Sequence, residues 1–277
     1  PIPMGVAHPC DAESLRGALL ARDRGLIVPT LIGPEDKIRS LAEQHHLDLA
    51  GATIINVPHS HAAAETAVLM ARDGTVEALM KGSLHTDELM SEVVSKATGL
   101  RTARRITHVF VMDVPTYPRP LLIPDAAVNV APTLEDKVDI VQNAIELAQM
   151  LKVVEPKVAI LAAVETVNPK MQATLDAAAL CKMADRGQIT GGLLDGPLAL
   201  DNAIDLGAAR IKKITSPVAG LADILVVPDL EAGNMLAKSL SFMADADAAG
   251  IVLGARVPVI LTSRADSVTA RLASCAV

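Results

Sequence analysis

Apolar residues recur along this chain in two alternating rhythms: short continuous runs, and stretches spaced three to four residues apart. Leu15, Ala18 and Leu19 share one face of a helix that Asp11 can cap and that runs through Arg22. Residues 26–32 form an apolar, β-branched run, and Gly33-Pro34 turns the chain into a second helix ending near His46. A strand at 53–57 and an Ala-rich helix at 62–72 repeat the unit. Strands and helices alternating through short connections predict a parallel sheet.

Residues 75–89 break the rhythm at Lys81-Gly82, after which Thr86 reads as the cap of a helix through Val94. Arg101, Arg104 and Arg105 make a basic patch ahead of a strand at 108–114. Pro115, Pro118, Pro120 and Pro124 then surround a short apolar piece at 121–123. Composition and rhythm both shift there, which marks the crossing into a second lobe. Thr133 starts a long helix through Leu151, with Val138, Val141, Ile145 and Ala148 facing inward. A strand at 157–164 follows, then a helix at about 171–186 and a loop at 187–197 around one short strand. Residues 224–227 read as a buried strand ended by Pro228. From Glu231 a helical pattern puts Met235, Leu236, Leu240 and Met243 on one face. A last strand at 257–261 leads through 262–267 into a C-terminal helix.

Composition supports this picture. Half of the 277 residues are hydrophobic, yet there is no Trp, one Tyr and two Phe, so the core is aliphatic with help from ten Met. Such cores suit parallel sheets under Ala-rich helices. Scarce aromatics argue against a stacking platform for single-stranded nucleic acid, and a net charge of −7 argues against a general polyanion binder. A small phosphorylated ligand needs only a local cluster of donors. No apolar run approaches a membrane span, and the N-terminus lacks the pattern of a signal peptide. Three scattered Cys without a CxxC fit a reducing cytoplasm and small core residues.

Two strand-to-helix turns stand out chemically. Gly233-Asn234 follows a strand and opens a helix, so it reads either as an ordinary connection or as an anion site facing free N–H groups, with Lys238 one turn on. Ser263 and Arg264, with Asp266, follow the last strand, where open α/β sheets place their ligands. Ser263 offers a hydroxyl and Arg264 a bidentate fork for phosphate; helix capping and a surface ion pair are the bland alternative. Lys81-Gly82 lacks a P-loop frame. His59, His61 and Glu65 have the spacing of metal ligands but no residue to complete the set, so no metal is expected.

The segments LMKGSLHTDEL (79–89), DAAVNVAPTLEDK (125–137), LLDGPLALDNAI (193–204), SPVAGLADILVVPDLEAGNMLAKSL (216–240) and PVILTSRADS (258–267) occur in one order along nearly the whole chain. In them the chain resembles the phosphate acetyl/butyryltransferase family. The stretches at 104–115 and 181–204 are most similar to the phosphotransacetylase half of bifunctional enoyl-CoA hydratase/phosphate acetyltransferase proteins. The absent initiator Met fits a chain of that kind, fused to an N-terminal hydratase-like domain in its full length.

The resemblance implies a two-lobed three-layer α/β/α fold like isocitrate and isopropylmalate dehydrogenases, with residues 1–105 and 255–277 in one lobe and 106–254 in the other. It implies an interdomain cleft, a homodimer, and the reversible reaction acetyl-CoA + phosphate = acetyl phosphate + CoA. CoA is a substrate there, and no metal or redox cofactor is required. Ser263, Arg264, Asp266 and Asn234 are then the catalytic candidates, and Gly233, Lys81, Gly82, Thr86 and Lys238 the substrate-binding ones. In the acetyl-specific branch the proposed base is an acid inside the last helix; here Ala270 stands near that position, which leaves Asp266 as the acid after Arg264. Two alternatives stay open on the sequence: a phosphate butyryltransferase, and a metal- and NAD-dependent hydroxyacid dehydrogenase of the same fold. A CoA- or phosphate-binding regulator without turnover is a third.

Overall fold

The strand at the middle of the first half is one that the apolar pattern does not announce. β1 (Ile2–Ala7) opens the chain, followed by α1 (Ala12–Asp23), β2 (Ile27–Gly33), α2 (Glu35–Gln44), β3 (Thr53–Asn56), α3 (Ser60–Arg72), β4 (Ala78–Lys81) and α4 (Thr86–Val93). Next come β5 (Thr107–Asp113), β6 (Leu121–Pro124), α5 (Leu134–Met150), β7 (Lys157–Leu161), α6 (Gln172–Asp185) and β8 (Leu193–Leu198). Two short helices, α7 (Leu200–Ile204) and α8 (Leu206–Ile211), lead to β9 (Ile224–Val226) and α9 (Leu230–Met243). The chain closes with β10 (Asp247–Leu253), β11 (Val259–Ile260) and α10 (Val268–Ala276). This computed structural model describes residues 1–262 and 267–277. It divides into two units, Pro1–Ile106 with Ala249–Val277, and Thr107–Ala248.

In the first unit the strand order is β3-β2-β1-β4-β11-β10. All neighbours pair in parallel except β10 with β11. The chain therefore steps from β1 outward to β3, and α3 then carries it back over the sheet to β4, on the far side of β1. That reversal makes β1/β4 a topological switch point. Leu15, Ala18 and Leu19 of α1, Ile38 and Ala42 of α2 and Leu272 of α10 share one core with Met4, Val6, Leu31 and Met80. α3 packs on β1, β2 and β4 and against α4, on the opposite face as a right-handed crossover requires. Gly17 makes room for α10, since a Cβ there would lie 2.9 Å from Arg271 Cδ.

In the second unit the order is β5-β6-β9-β7-β8; β6, β9, β7 and β8 run parallel, and β5 is antiparallel to β6. Met112, Ile123, Ala159, Leu161, Leu225 and Ala237 lie in its core. Thr133 caps α5 by accepting the Asp136 N–H, and the Asp136 carboxylate accepts the Thr133 N–H in return. α5 and α6 are tied by a buried ion pair, Lys137 to Asp176 at 2.6 Å, whose second carboxylate oxygen accepts Gln172 Nε2. Such a pair specifies register more than it adds stability, because desolvating both charges offsets their attraction.

Three features depart from the sequence reading. β1, β4 and β10 are strands where the pattern showed none. α4 is capped by His85, whose N–H the Glu88 carboxylate accepts, and Thr86 is the first helical residue. On α9 the buried positions are Gly233 and Ala237, whereas Met235 and Met243 are 63% and 85% exposed. Leu236 and Leu240 are half-buried against the core as the pattern expects, whereas Met235 and Met243 point outward and Gly233 and Ala237 make the closest approach.

Candidate active site

The carboxyl ends of β1 and β4 meet through a compact polar network. Beyond β1 the chain turns at His8, which adopts a left-handed φ of 54°, a conformation His tolerates better than β-branched residues do. β4 extends past its last residue by two further bonds: the Gly82 N–H donates to Ala7 O at 2.9 Å and the Ser83 N–H to His8 O at 2.9 Å. Gly82 is required at this contact, because a Cβ would stand 2.4 Å from His8 O and 2.5 Å from Ala7 O. Ser83 Oγ donates to His8 O at 2.9 Å, lies 3.0 Å from His8 Nδ1, and accepts the Cys10 N–H at 3.3 Å. Burial, then the nearby Lys37 ammonium, lowers the His8 pKa below its ordinary value.

Lys81 is buried, and its ammonium donates to Leu84 O at 3.0 Å and Gly82 O at 3.4 Å. Lys81 and Gly82 thus build the loop at this strand end, while Thr86 is exposed at the start of α4. The Glu88 carboxyl is held below its usual range chiefly by a hydrogen bond with Ser60, against desolvation and helped by the His85 N–H. β11 runs parallel to β4, so the chain leaves it on this same edge. There buried Thr262 accepts Arg271 Nη1 at 2.6 Å. Ser263, Arg264 and Asp266 lie outside the described residues.

In the second unit a buried Asp125 follows β6 and organises the turn after it. Its carboxylate accepts the N–H groups of His108, Ala127, Val128 and Asn129 and the Asn129 side-chain amide. Stripping such a carboxylate would leave several buried donors unmet, at about 1–3 kcal/mol each. The turn docks on α9. A Cβ on Gly233 would lie 2.8 Å from Val227 Cγ2 and 2.9 Å from Ala126 Cβ, and Asn234 Nδ2 donates to Ala126 O at 3.2 Å. The first turn of α9 spends its donors locally: Leu230 N–H on Val130 O, Ala232 N–H on the Asp229 carboxylate, Gly233 N–H on Asp229 O. Gly233 is therefore a packing glycine, and the Asn234 amide is the polar group that α9 carries to this strand end. Lys238 is exposed further along the helix.

Other sequence candidates have local roles. His59 Nδ1 accepts the Ala62 N–H and caps α3, with its ring 6.2 Å from that of His61; Glu65 is exposed. Among the described residues no three His, Cys, Asp or Glu cluster as metal ligands. Arg101 bridges to Ala255, and Thr102 Oγ1 donates to Gly254 O at 2.7 Å. Burial raises the Cys10 thiol and pushes Cys181 and Cys275 up to about 12, so none is a poised nucleophile. His8 has no place in the sequence reading, and Ser83 and Asp125 lie within the family segments without a role assigned to them. The one available signal was His8-Pro9 ending an apolar heptad, and it has force only once β1 is known to be a strand.

Parallel strands covered by helices, with polar side chains gathered at their carboxyl ends, define an α/β protein of the class that offers ligands that edge of its sheet. The family model for phosphate acetyl/butaryl transferase matches residues 60–277, and the chain belongs to that family of acyltransferases. It is 67% identical over 272 residues to the phosphate acetyltransferase of Rhizobium meliloti, covering 98% of this chain and 86% of that one. It is 41% identical over 273 residues to the phosphate butyryltransferase of Clostridium acetobutylicum, covering 99% and 91%. Among solved structures it is similar to the branched-chain phosphotransacylase from Enterococcus faecalis V583, with a TM-score of 0.86, 30% identity, and coverage of 99% and 96%.

Proposed function

We propose that this protein is a phosphate acetyltransferase, interconverting acetyl-CoA plus phosphate with acetyl phosphate plus CoA. The observation that carries the reading is the 67% identity, over nearly the full chain, to a phosphate acetyltransferase, against 41% to a butyryl relative. Family membership likewise favours group transfer over the hydroxyacid dehydrogenase alternative. The reaction balances with CoA and phosphate alone and involves no change of oxidation state, so CoA enters as substrate and no further cofactor is called for.

The chemistry asks for three things. The CoA thiol, with a pKa near ~8.5, must reach the carbonyl carbon as thiolate. The oxyanion formed in that attack needs hydrogen-bond donors, and the departing phosphate needs cations. Ser263 and Arg264 are proposed for the last two tasks on the family resemblance, with Asp266 as the acid nearest them in sequence. Asn234 is proposed as a further amide donor to the substrate; Lys81, Gly82 and Thr86 shape the β4 loop that receives it, Gly233 seats α9, and Lys238 contributes positive potential at a distance. Holding both substrates side by side supplies much of the remaining acceleration, so no covalent acyl-enzyme is required.

A homodimer is part of the proposal. Met235, Phe242 and Met243 lie on one side of α9 and are 63%, 81% and 85% exposed, an apolar stripe that a second copy would cover. No helix among the described residues is long and apolar enough to cross a membrane. The three cysteines are unpaired, which supports the proposal of a cytoplasmic protein. The hydratase-like fusion rests on the branch resemblance alone and is tested by the mass of the protein from its native source. Acyl preference is tested by comparing kcat/KM for acetyl, propionyl and butyryl phosphate with CoA. The proposal predicts acetyl highest, and a butyryl value above it would replace this reading with the butyryltransferase one.

A further inference from the structure

The β1/β4 switch point, where an open parallel sheet offers its crevice, is occupied by His8 and Ser83. Ser83 Oγ lies 2.9 Å from His8 O and 3.0 Å from His8 Nδ1, so it holds the ring by that nitrogen. In the tautomer with its proton on Nδ1, the ring donates to Ser83 Oγ, the hydroxyl donates to His8 O, and Nε2 carries a lone pair. That tautomer is the one the inference uses. The half-buried ring sits at a left-handed turn just past β1, while the Ser83 and Cys10 N–H groups pin the His8 carbonyl at 2.9 and 2.8 Å. A histidine held by one nitrogen, with its other nitrogen basic, has the build of a general base.

We propose that His8 takes the proton of the CoA thiol through Nε2 and returns it to the phosphate that leaves, with Ser83 as its positioning residue. This rests on the phosphate acetyltransferase reading. In the forward step the S–H bond breaks toward Nε2, sulfur bonds to the carbonyl carbon, and the bond from that carbon to the phosphate oxygen breaks. The proton then passes from Nε2 to the phosphate, so thiol and acetyl phosphate dianion yield thioester and hydrogen phosphate, and His8 ends neutral. The reverse direction uses the same steps backwards. The charged and titratable groups around the ring are Lys37 on α2, Asp11 ahead of α1, His59 at the head of α3, Glu88 on α4, and Cys10 beside it. Burial and Lys37 outweigh the two carboxylates and keep the ring basic at neutral pH. Such a base supplies what Ala270 cannot, since α10 carries no acid there.

The test is the pH dependence of kcat for thioester formation in wild type, His8→Asn, His8→Gln, Ser83→Ala and Asp266→Asn. Asn accepts the left-handed φ of residue 8, which guards the fold, and thermal melts check it. Wild type should lose kcat as pH falls through a value below about 6.5. Both His8 variants should lose about 100-fold in kcat at pH 7 and lose that limb, with KM for CoA within about threefold. Ser83→Ala should keep the limb and lose about tenfold in kcat, as for other orienting partners. Asp266→Asn should keep the limb. Folded His8 variants that keep the limb, keep kcat within about threefold, or change only KM overturn the proposal. A wild type that makes no thioester at any pH overturns the acetyltransferase reading itself, whereas an active wild type with unaltered His8 variants overturns this inference alone.

Discussion

Replacing Gly82 with Ala isolates the contact on which the first strand-end site depends. The new Cβ would stand 2.4 Å from His8 O, 2.5 Å from Ala7 O and 2.6 Å from the His8 carbonyl carbon. All three are backbone atoms, so no side chain can swing away; the end of β4 must back off from β1. Overpacking of this kind costs about 1–3 kcal/mol. Losing the Gly82 and Ser83 bonds to Ala7 O and His8 O adds about 0.5–1.5 kcal/mol each. A total of about 3 kcal/mol lowers the melting temperature of a unit this size by about 10 °C. Gly25→Ala is the control: its φ is +71° but nothing lies within 4 Å of its would-be Cβ, so the backbone term of about 1–2 kcal/mol stands alone. The chain has no Trp, so far-UV circular dichroism is the readout for the melts. Ser83 would move off His8 by about 1 Å, which predicts a loss of about tenfold in kcat, as for losing the Ser83 hydroxyl itself. If Gly82→Ala melts within about 2 °C of wild type and retains more than half of its kcat, the reasoning about this contact is wrong.

Three further outcomes are expected. Gly233→Ala should destabilise the second unit by about 1–3 kcal/mol in urea titrations, because its Cβ meets Val227 and Ala126; an unchanged midpoint would show that α9 does not rest on that turn. Stability should fall on acidification in two stages. His8, its folded pKa lowered, contributes stability above about pH 6.5 that is lost as pH falls through the folded value. Glu88, also lowered, contributes above about pH 4.3 and loses it further down. Ser60→Ala should weaken only the second stage, read from urea midpoints between pH 3 and 7. Phe242→Asp should convert a dimer to a monomer in sedimentation velocity while leaving the melt of the chain little changed; a dimer that persists removes α9 from the interface.

Long amphipathic helices were legible in the sequence because their signal is local. Thr133 with Asp136 and the spacing of Val141, Ile145 and Ala148 define α5 without reference to anything distant. β1 was not legible: Pro1, Pro3 and Gly5 suppress its strand signal, and its burial comes entirely from β2, β4 and the helices around them. β4 is four residues long, too short to show a period. α9 misled in the opposite sense. Of its large apolar residues Leu236 and Leu240 do pack on the core, but Met235 and Met243 are exposed and the fully buried positions are Gly233 and Ala237, which no apolar period marks. The glycine that looked suited to a ligand instead admits Ala126. Asn234 stood out from its strand-to-helix turn and Lys81-Gly82 from the break in rhythm, their substrate roles coming from the family resemblance, whereas the His8–Ser83 contact joins residues 75 apart and exists only because the chain doubles back between β3 and β4.

Direct transfer between the two substrates is tested most sharply by the stoichiometry of the first turnovers with acetyl phosphate and CoA. Thioester and phosphate should appear together, one for one from the start, with no phosphate release when CoA is left out. Phosphate released without CoA, or a burst of phosphate ahead of thioester approaching one per site, would contradict direct transfer between the two substrates.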